Sequence, residues 1–187
     1  MKNLWTSSQL MTNKSYTIAH YCNKDLQEVS LHSHDFYELY FFISGNASYI
    51  IDNFHYRLEP GDILLISPSN LHHLKINDTS VAYERMVLWI NPRYLSKLST
   101  TNTKLSFCFE ECSKSKNFLI RDKHLSEEIK FSLFALYNKG NDFGSDIFAE
   151  LQIKSILLKL CVFFKQEGKV NQHHVQKINP IIKKVID

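Results

Sequence analysis

The stretch from residue 32 to residue 73 constrains this chain most, because two groups of histidines and a glutamate lie in it between short apolar runs. Side chains alternate between the two faces of a β-strand. One strand through His32, His34 and Glu38 would direct two imidazoles and a carboxylate to the same face. Tyr40 would follow on that face. The alternation therefore predicts a sheet whose polar face encloses a site.

The chain around this stretch alternates turn residues with further short strands. Strands are predicted at residues 16–21, 29–34, 47–51, 55–58 and 62–66. Asp52 and Asn53 supply a hairpin turn, and Gly61 follows a proline just before the last of these strands. His72 and His73 come after the next turn. The sequence leaves open which of the two faces the interior.

The strand predicted at residues 81–90 is the longest, and its two faces differ. One face combines a cation with aromatic and apolar residues, namely Tyr83, Arg85, Val87 and Trp89. An unpaired buried charge costs on the order of several kcal/mol. We therefore expect Arg85 to pair with Glu84 or Glu38, and a ligand anion is the alternative partner.

These motifs resemble those of the cupin barrel. The first cupin motif is a His-x-His pair followed by Glu and Gly, here His32, His34, Glu38 and Gly45. The second is a Gly-Asp-apolar run that ends in Pro and His, here Gly61, Asp62, Pro68 and His72. Together with YERMVLWINPRYL, they more narrowly resemble the N-terminal sensor domain of AraC/XylS-family transcription regulators.

The resemblance implies a cupin-like β-barrel over residues 15–122 that binds a small-molecule effector, and sugars are common effectors in the family. The implied ligand-binding residues are His32, His34, Glu38, Tyr40, His72 and Trp89. Residues 1–14 would form an arm of the kind that folds over the barrel mouth, or a frayed terminus. Such a sensor has no catalytic residues, and it contacts DNA only through a separate helix-turn-helix domain.

Three imidazoles and a carboxylate also suit a first-row divalent metal. The metal ligands would be His32, His34, Glu38 and His72. With open coordination positions, the chain would then be a cupin oxygenase or isomerase. Against this alternative, Ser69 and Asn70 replace the Gly that is usual in metalloenzyme cupins, and the resemblance itself implies no cofactor. A purely structural role for the histidines is the third alternative.

The last third of the chain changes to a helical period. Apolar residues recur on one helical stripe at Leu125, Ile129, Leu133 and Leu136. A second helix is predicted from Ser145 to about Gln166, with Gly168 as its C-terminal signal. This helix is too apolar for one contact, so residues 123–168 are predicted to form a homodimer. The interface residues would be Leu151, Ile156, Leu158 and Phe163. Alternatively, the preceding helix covers the remaining apolar face.

Residues 169–187 are predicted to be a polar linker and the first helix of a DNA-binding domain, because Asn179-Pro180 is a typical helix start. A net charge of +3 is too small to predict DNA binding by this chain alone. The chain has no secretory leader and no apolar run of about twenty residues, so a cytoplasmic protein without a membrane partner is expected. The predicted fold is mainly β with C-terminal helices (α+β). It is a cupin-like β-barrel followed by two antiparallel helices and the start of a third.

Overall fold

Two antiparallel sheets form the β-part of the computed structural model, which describes residues 11, 13–24, 26 and 28–182, with side chains as far as Gln166. In chain order the strands are β1 (Tyr16–Asn23), β2 (Glu28–His32), β3 (Tyr37–Ser44), β4 (Ala47–Ile51), β5 (Phe54–Arg57), β6 (Ile63–Ile66), β7 (His72–Ile76), β8 (Tyr83–Ile90) and β9 (Leu119–Ile120). The first sheet has the order β1-β8-β3-β6-β9, and the second has the order β2-β7-β4-β5.

Four helices accompany the sheets within the described residues. They are α1 (Pro92–Leu98), α2 (Phe107–Ser115), α3 (Lys123–Tyr137) and α4 (Ser145–Ile182). Helix α2 packs against β6, α3 packs against β1, and α4 packs against both α2 and α3. The five-stranded sheet is therefore covered on its outer face by helices. This explains why almost every residue of β3 and β8 is buried, since neither face of these strands meets water.

Most predicted strands are confirmed. Strand β4 has the predicted bounds, and β1, β5, β6 and β8 differ from the predicted ones by at most two residues at either end. Helix α1 begins at Pro92, which occupies its first turn, and Asn91 caps it by accepting hydrogen bonds from Arg93 N and Tyr94 N. Alternating apolar residues and turn residues therefore predicted these elements correctly.

The prediction of one strand through His32 and Glu38 is wrong. Strand β2 ends at His32 in the four-stranded sheet, and β3 begins at Tyr37 in the five-stranded sheet. The chain crosses from one sheet to the other between them, and Ser69 N donates to His34 O in this crossing (2.9 Å). His34 therefore reaches Glu38 through a bend of the chain and not through the alternation of one strand.

Two elements were not predicted from the sequence. Strand β7 contains only two apolar residues, Leu74 and Ile76, but both are buried and alternate with a buried His72. Its period of two becomes visible once the histidine is counted as an inward residue. Residues 107–115 form helix α2, whose buried side chains Cys108 and Cys112 are four positions apart.

The helical stripe of α3 is confirmed. Asp122 caps the helix by accepting a hydrogen bond from Leu125 N, and all four apolar residues of the predicted stripe are buried. The predicted end of α4 near Gln166 is wrong, because the helix continues through Gly168 and Asn179-Pro180 to Ile182. A single glycine costs a helix only about 1 kcal/mol, so Gly168 alone does not stop it. Residues 1–10 of the predicted arm, and residues 183–187, lie outside the described residues.

Candidate functional site

Three histidines converge on one buried glutamate at the end of the sheets. His32 and His72 are register partners on β2 and β7, and their ring centroids are 4.1 Å apart. His34 Nε2 lies 2.9 Å from Glu38 Oε2, and His72 Nε2 lies 3.9 Å from the same oxygen. The cluster therefore unites the four residues that the sequence predicted, across both sheets.

Backbone carbonyl groups fix the orientation of all three imidazoles. The Nδ1 atoms of His32, His34 and His72 lie 2.7, 2.9 and 2.9 Å from the carbonyl oxygens of Ser30, Phe36 and Asn70. A carbonyl oxygen only accepts hydrogen bonds, so each Nδ1 carries the proton and donates. In a neutral imidazole, the Nε2 atom then presents a lone pair. His34 Nε2 lies 2.9 Å from Glu38 Oε2, which only accepts, so His34 donates to this carboxylate when no cation is bound, whereas lone pairs remain on Nε2 of His32 and His72.

This arrangement brings unpaired imidazole nitrogens next to a carboxylate. The Nε2 atoms of His32 and His72 are buried and have no hydrogen-bond partner among the described residues. The ligating atoms of His34, Glu38 and His72 all lie within 4.8 Å of one another. Two imidazole nitrogens and a carboxylate suit a first-row divalent cation, and imidazoles that bind metals usually donate their other N–H to a carbonyl or carboxylate group. The residues present therefore fit a metal ion.

Burial and the neighbouring charges favour the protonation states that such a cluster needs. Burial alone raises the pKa of Glu38, but the hydrogen bond from His34 and the three imidazoles outweigh it, so the pKa lies below its usual value. Burial lowers the pKa of His72 to about 4. Near neutral pH, Glu38 is therefore an anion and His72 is a neutral imidazole with a free electron pair.

The sequence left open whether His72 or His73 faces the interior, and the structure assigns this position to His72. His72 is fully buried beside Glu38. His73 lies on the other face of β7, where its Nε2 is 3.8 Å from Glu28 Oε2. Strand β7 is extended, so neighbouring residues take opposite faces. Only His72 can belong to the cluster.

A cavity of about 80 Å³ lies between the two sheets and adjoins this cluster. Four of the predicted ligand-binding residues line it, namely His32, Glu38, Tyr40 and Trp89. His34 and His72 contact Glu38 but do not line the cavity. Tyr21 and Tyr49, which the sequence analysis did not single out, also line it. The side chains of Tyr21 and Tyr49 could be assigned to the inward face only once the pairing of β1 and β4 with their neighbouring strands was known.

The predicted ion pair of Arg85 is not formed. Glu84 points to the opposite face of β8, where its carboxylate lies 2.8 Å from His20 Nε2, and Glu38 bonds His34. The Arg85 guanidinium lines the cavity and is 4.5 Å from the ring centroid of Tyr21. The prediction failed because alternation places Glu84 on the wrong face, and the cavity separates Arg85 from Glu38.

The four predicted dimer residues differ in their exposure to solvent. Leu151 and Leu158 are 59% and 48% exposed on α4. Phe163 is half-buried and packs against the core. Ile156 is completely buried, so it belongs to the core of this chain and cannot contribute to an exposed face. The preceding helix therefore covers one side of α4, and a second apolar side stays exposed.

Two facing antiparallel sheets with an imidazole–carboxylate cluster at one end define a cupin-like α+β fold. Solved structures similar to this chain include a cupin superfamily protein from Desulfitobacterium hafniense (18% identity, 44% of this chain and 72% of that chain covered, TM-score 0.38). A Cupin 2 conserved barrel domain protein from Salinispora arenicola is 14% identical over 48% of this chain and 76% of that chain, with a TM-score of 0.39. At these identities the likeness concerns the fold alone.

Residues 16–157 match the model of the AraC-like ligand binding domain, and the chain belongs to that family. A predicted oxalate decarboxylase from Thermotoga maritima is also similar (18% identity, 42% of this chain and 68% of that chain, TM-score 0.38). No curated protein sequence matches the chain. Within the described residues, no helix has the length and apolar character needed to cross a bilayer.

Proposed function

We propose that this chain is the effector-sensing and dimerisation part of a transcription regulator. A small molecule binds in the cavity between the sheets, and the bound state changes the arrangement of DNA-binding domains attached to the chain. The observation that carries this proposal is the cavity, lined by polar side chains from both sheets, in a member of the AraC-like ligand binding domain family. We keep a cytoplasmic location as part of the proposal, because the target is DNA.

Strand β1 offers a route from the cavity to the helices. Tyr21 lines the cavity, whereas its neighbour His20 faces outward. The His20 ring lies 5.5 Å from the ring of Phe134 and 5.7 Å from the ring of Tyr137, both on α3. Helix α3 in turn packs against α4. A ligand that shifts β1 would therefore alter the position of the helices, provided that it binds one arrangement better than the other.

The exposed face of α4 supports dimerisation. Ile147, Leu151, Leu158 and Val162 are between 45% and 64% exposed and recur at helical spacing on one stripe. Burying such side chains contributes roughly 1.5–3 kcal/mol each when it is complete. A second copy of the chain presents the same stripe, so two-fold pairing covers both at once. We therefore propose α4 as the dimer element, without Ile156.

The test of the sensing function uses the full-length regulator and a reporter gene under its control. Tyr40→Ala and Trp89→Leu each change the cavity wall, and we expect at least a tenfold loss of effector sensitivity. Lys97→Ala, at an exposed position of α1, is the matched control for expression and folding. A response that survives both cavity substitutions would contradict the assignment of the effector site.

A metal-dependent cupin enzyme is the second candidate, because His34, Glu38 and His72 bring two imidazole nitrogens and a carboxylate within 4.8 Å of one another, a set that fits a divalent cation. A metal bound there would supply Lewis-acid or redox chemistry next to the cavity. His32 and Glu38, which belong to both the cluster and the cavity wall, would orient a substrate toward it. Stoichiometric iron or manganese in the purified chain would favour this candidate, and a metal-free dimer would favour the sensor.

A further inference from the structure

Arg85 is a buried cation whose charge has no carboxylate partner among the described residues. Its side chain lines the cavity, and the residue is only 9% exposed. The guanidinium donates a hydrogen bond to the Asn23 side-chain oxygen and lies over the rings of Tyr21 and Tyr83, at 4.5 and 4.6 Å from their centroids. All three of these partners are neutral. Because ions are rarely buried without a counter-ion, the missing anion is expected to come from outside the chain.

A second donor in the same cavity also lacks an acceptor. Trp89 lines the cavity two positions beyond Val87 on the inward face of β8, and its Nε1 is buried with no hydrogen-bond partner among the described residues. An indole N–H can only donate. Burial raises the pKa of Tyr49, another lining residue, so its hydroxyl keeps its proton. The indole N–H of Trp89 is therefore available to a ligand in the cavity.

Glu38 is the one acidic group among the described residues of the cavity wall, and it lies at the other end from Arg85. Glu38 is the register partner of Trp89, and Trp89 lies four residues from Arg85 along β8. Four residues of a strand span about 13 Å. Glu38 is also engaged by His34 at 2.9 Å. A negatively charged group can therefore bind at the Arg85 end without meeting the carboxylate of Glu38.

The size and lining of the cavity limit the ligand. The cavity measures about 80 Å³, which is near half the volume of the engineered cavity of about 150 Å³ that accommodates benzene. Apolar side chains, including Val29, Leu74 and Val87, form much of its wall. The site therefore suits a charged group that carries a short apolar carbon skeleton, and it is small for a sugar.

We propose that the cavity binds a small carboxylate, such as a short-chain carboxylic acid. The carboxylate pairs with the planar guanidinium of Arg85, which presents two parallel N–H donors, and the carbon skeleton extends along Val87 toward Trp89. This inference rests on the proposed ligand-sensing function and names the chemical class that the site would sense. Arg85 is thereby a specificity-determining residue for charge.

The test measures binding of propionate and pyruvate to the whole chain, with propionamide as the neutral analogue of propionate and inorganic phosphate as a second anion. The chain has only two tryptophans, so the indole N–H resonances in a ¹H–¹⁵N spectrum report on the cavity directly, and Trp89→Phe identifies the relevant signal. We expect propionate or pyruvate to shift the Trp89 resonance saturably, with a Kd at least tenfold lower than that of propionamide.

The variants separate the charge of Arg85 from its structural role. In Arg85→Gln, the preference for propionate over propionamide should fall to about onefold, whereas Arg85→Lys should keep part of it. Arg93→Gln, an exposed arginine on α1, is the matched control and should bind as the unchanged chain does. Thermal unfolding of each variant without ligand shows that it is folded. A selectivity unchanged by Arg85→Gln would overturn the proposal.

Two further outcomes complete the test. Asp25 lies outside the described residues, and Asp25→Asn removes it as a counter-ion; carboxylate binding seen only in that variant would assign the partner of Arg85 to the chain itself and overturn the proposal. Tighter binding of phosphate than of any carboxylate, or no binding of a carboxylate at all, would do the same. Saturable binding of propionamide without preference for propionate would overturn the carboxylate proposal but leave the sensing function intact. The sensing function is tested separately, by the response of the reporter gene to Tyr40→Ala and Trp89→Leu.

Discussion

Glu38 is the residue around which the histidines of the site are arranged. It is 3% exposed, and its carboxylate is the shared neighbour of His34 and His72. A buried carboxylate is stable there only because imidazoles surround it, and those imidazoles keep their Nδ1 protons on backbone carbonyl groups. The residue therefore serves as an anionic ligand in the presence of a cation, and it accepts a hydrogen bond from His34 in the absence of one.

Replacing Glu38 by Gln tests this role. We expect divalent metal affinity to fall at least 10- to 100-fold, because the one anionic ligand is lost. In metal-free protein the midpoint of thermal unfolding near neutral pH should fall, because the fold favours the ionised form of Glu38 and the Gln amide oxygen is a weaker acceptor for the hydrogen bond from His34. Metal content by elemental analysis and unfolding with and without Zn²⁺ measure both effects. Glu28→Gln, on the exposed side of β2, is the control, and equal metal binding by both variants would contradict the ligand set.

Residue-scale chemistry was largely predictable from the sequence, but the partners of the residues were not. The His-x-His-Glu spacing and the second motif predicted His32, His34, Glu38 and His72 as one set. The spacing gave the right set for a partly wrong reason, because His34 lies in a crossing between sheets and not in a strand. The alternation along β8 correctly placed Arg85 on the inward face. Its lack of a carboxylate could not be predicted, because that depends on the separation of two strands in space.

At the scale of elements, α4 has two different apolar sides. One side contains the completely buried Ile153, Ile156 and Leu160, which belong to the core. The other contains Leu151 and Leu158, which remain about half exposed. Composition alone predicted a surplus of apolar surface on this helix. It could not distinguish the two sides, because the helix is apolar almost all round and its orientation is set by packing against α2 and α3.

The double substitution Leu151→Glu and Leu158→Glu tests the exposed side as a dimer surface. If α4 pairs with a second copy, two like charges placed at a two-fold contact should convert a dimer to a monomer and raise the dissociation constant by at least 100-fold. Sedimentation equilibrium or light scattering measures the mass. The control is Lys130→Glu on α3, which changes charge outside this face. A dimer that survives the double substitution would rule out this side of α4.

The extent of α4 was the least predictable feature of the elements. Gly168 and Asn179-Pro180 are ordinary boundary signals in sequence, yet the helix runs through both to Ile182. Such signals are weak when the residues between them are themselves helix formers, as the Lys and Gln residues here are. By contrast, the N-terminus of α3 was well specified, because Asp122 caps it through Leu125 N.

At the scale of the whole molecule, we propose that ligand binding and helix position are linked through β1. The inward side of this strand carries Tyr21, and the outward side carries His20, whose Nε2 is 2.8 Å from Glu84 Oε1. His20 also contacts two aromatic rings of α3. Coupling requires that the two states of the molecule differ in these contacts. Adjacent residues of β1 therefore contact the cavity and α3.

His20→Ala tests this connection. We expect the variant to bind its ligand with an affinity within about threefold of the unchanged chain, because the residue faces away from the cavity. In the full-length regulator, the transcriptional response to the ligand should fall by about 5-fold or more, which is the usual lower range of a coupling free energy. Ligand titration and the reporter assay measure the two quantities separately. A variant that loses binding and response together would show that His20 acts on the cavity, contrary to this prediction.

The alternation of β1 has a consequence for how such a sensor can diversify. Under the proposed mechanism, Tyr21 would contribute to ligand recognition and His20 to the transmission of the signal, although they are adjacent in sequence, because consecutive side chains of a strand point to opposite faces. Substitutions on the inner face would then change which compound is sensed, while the outer face keeps its contacts with the helices. The ligand preference of such a sensor could be changed, with its response retained, by altering only every second residue of one strand.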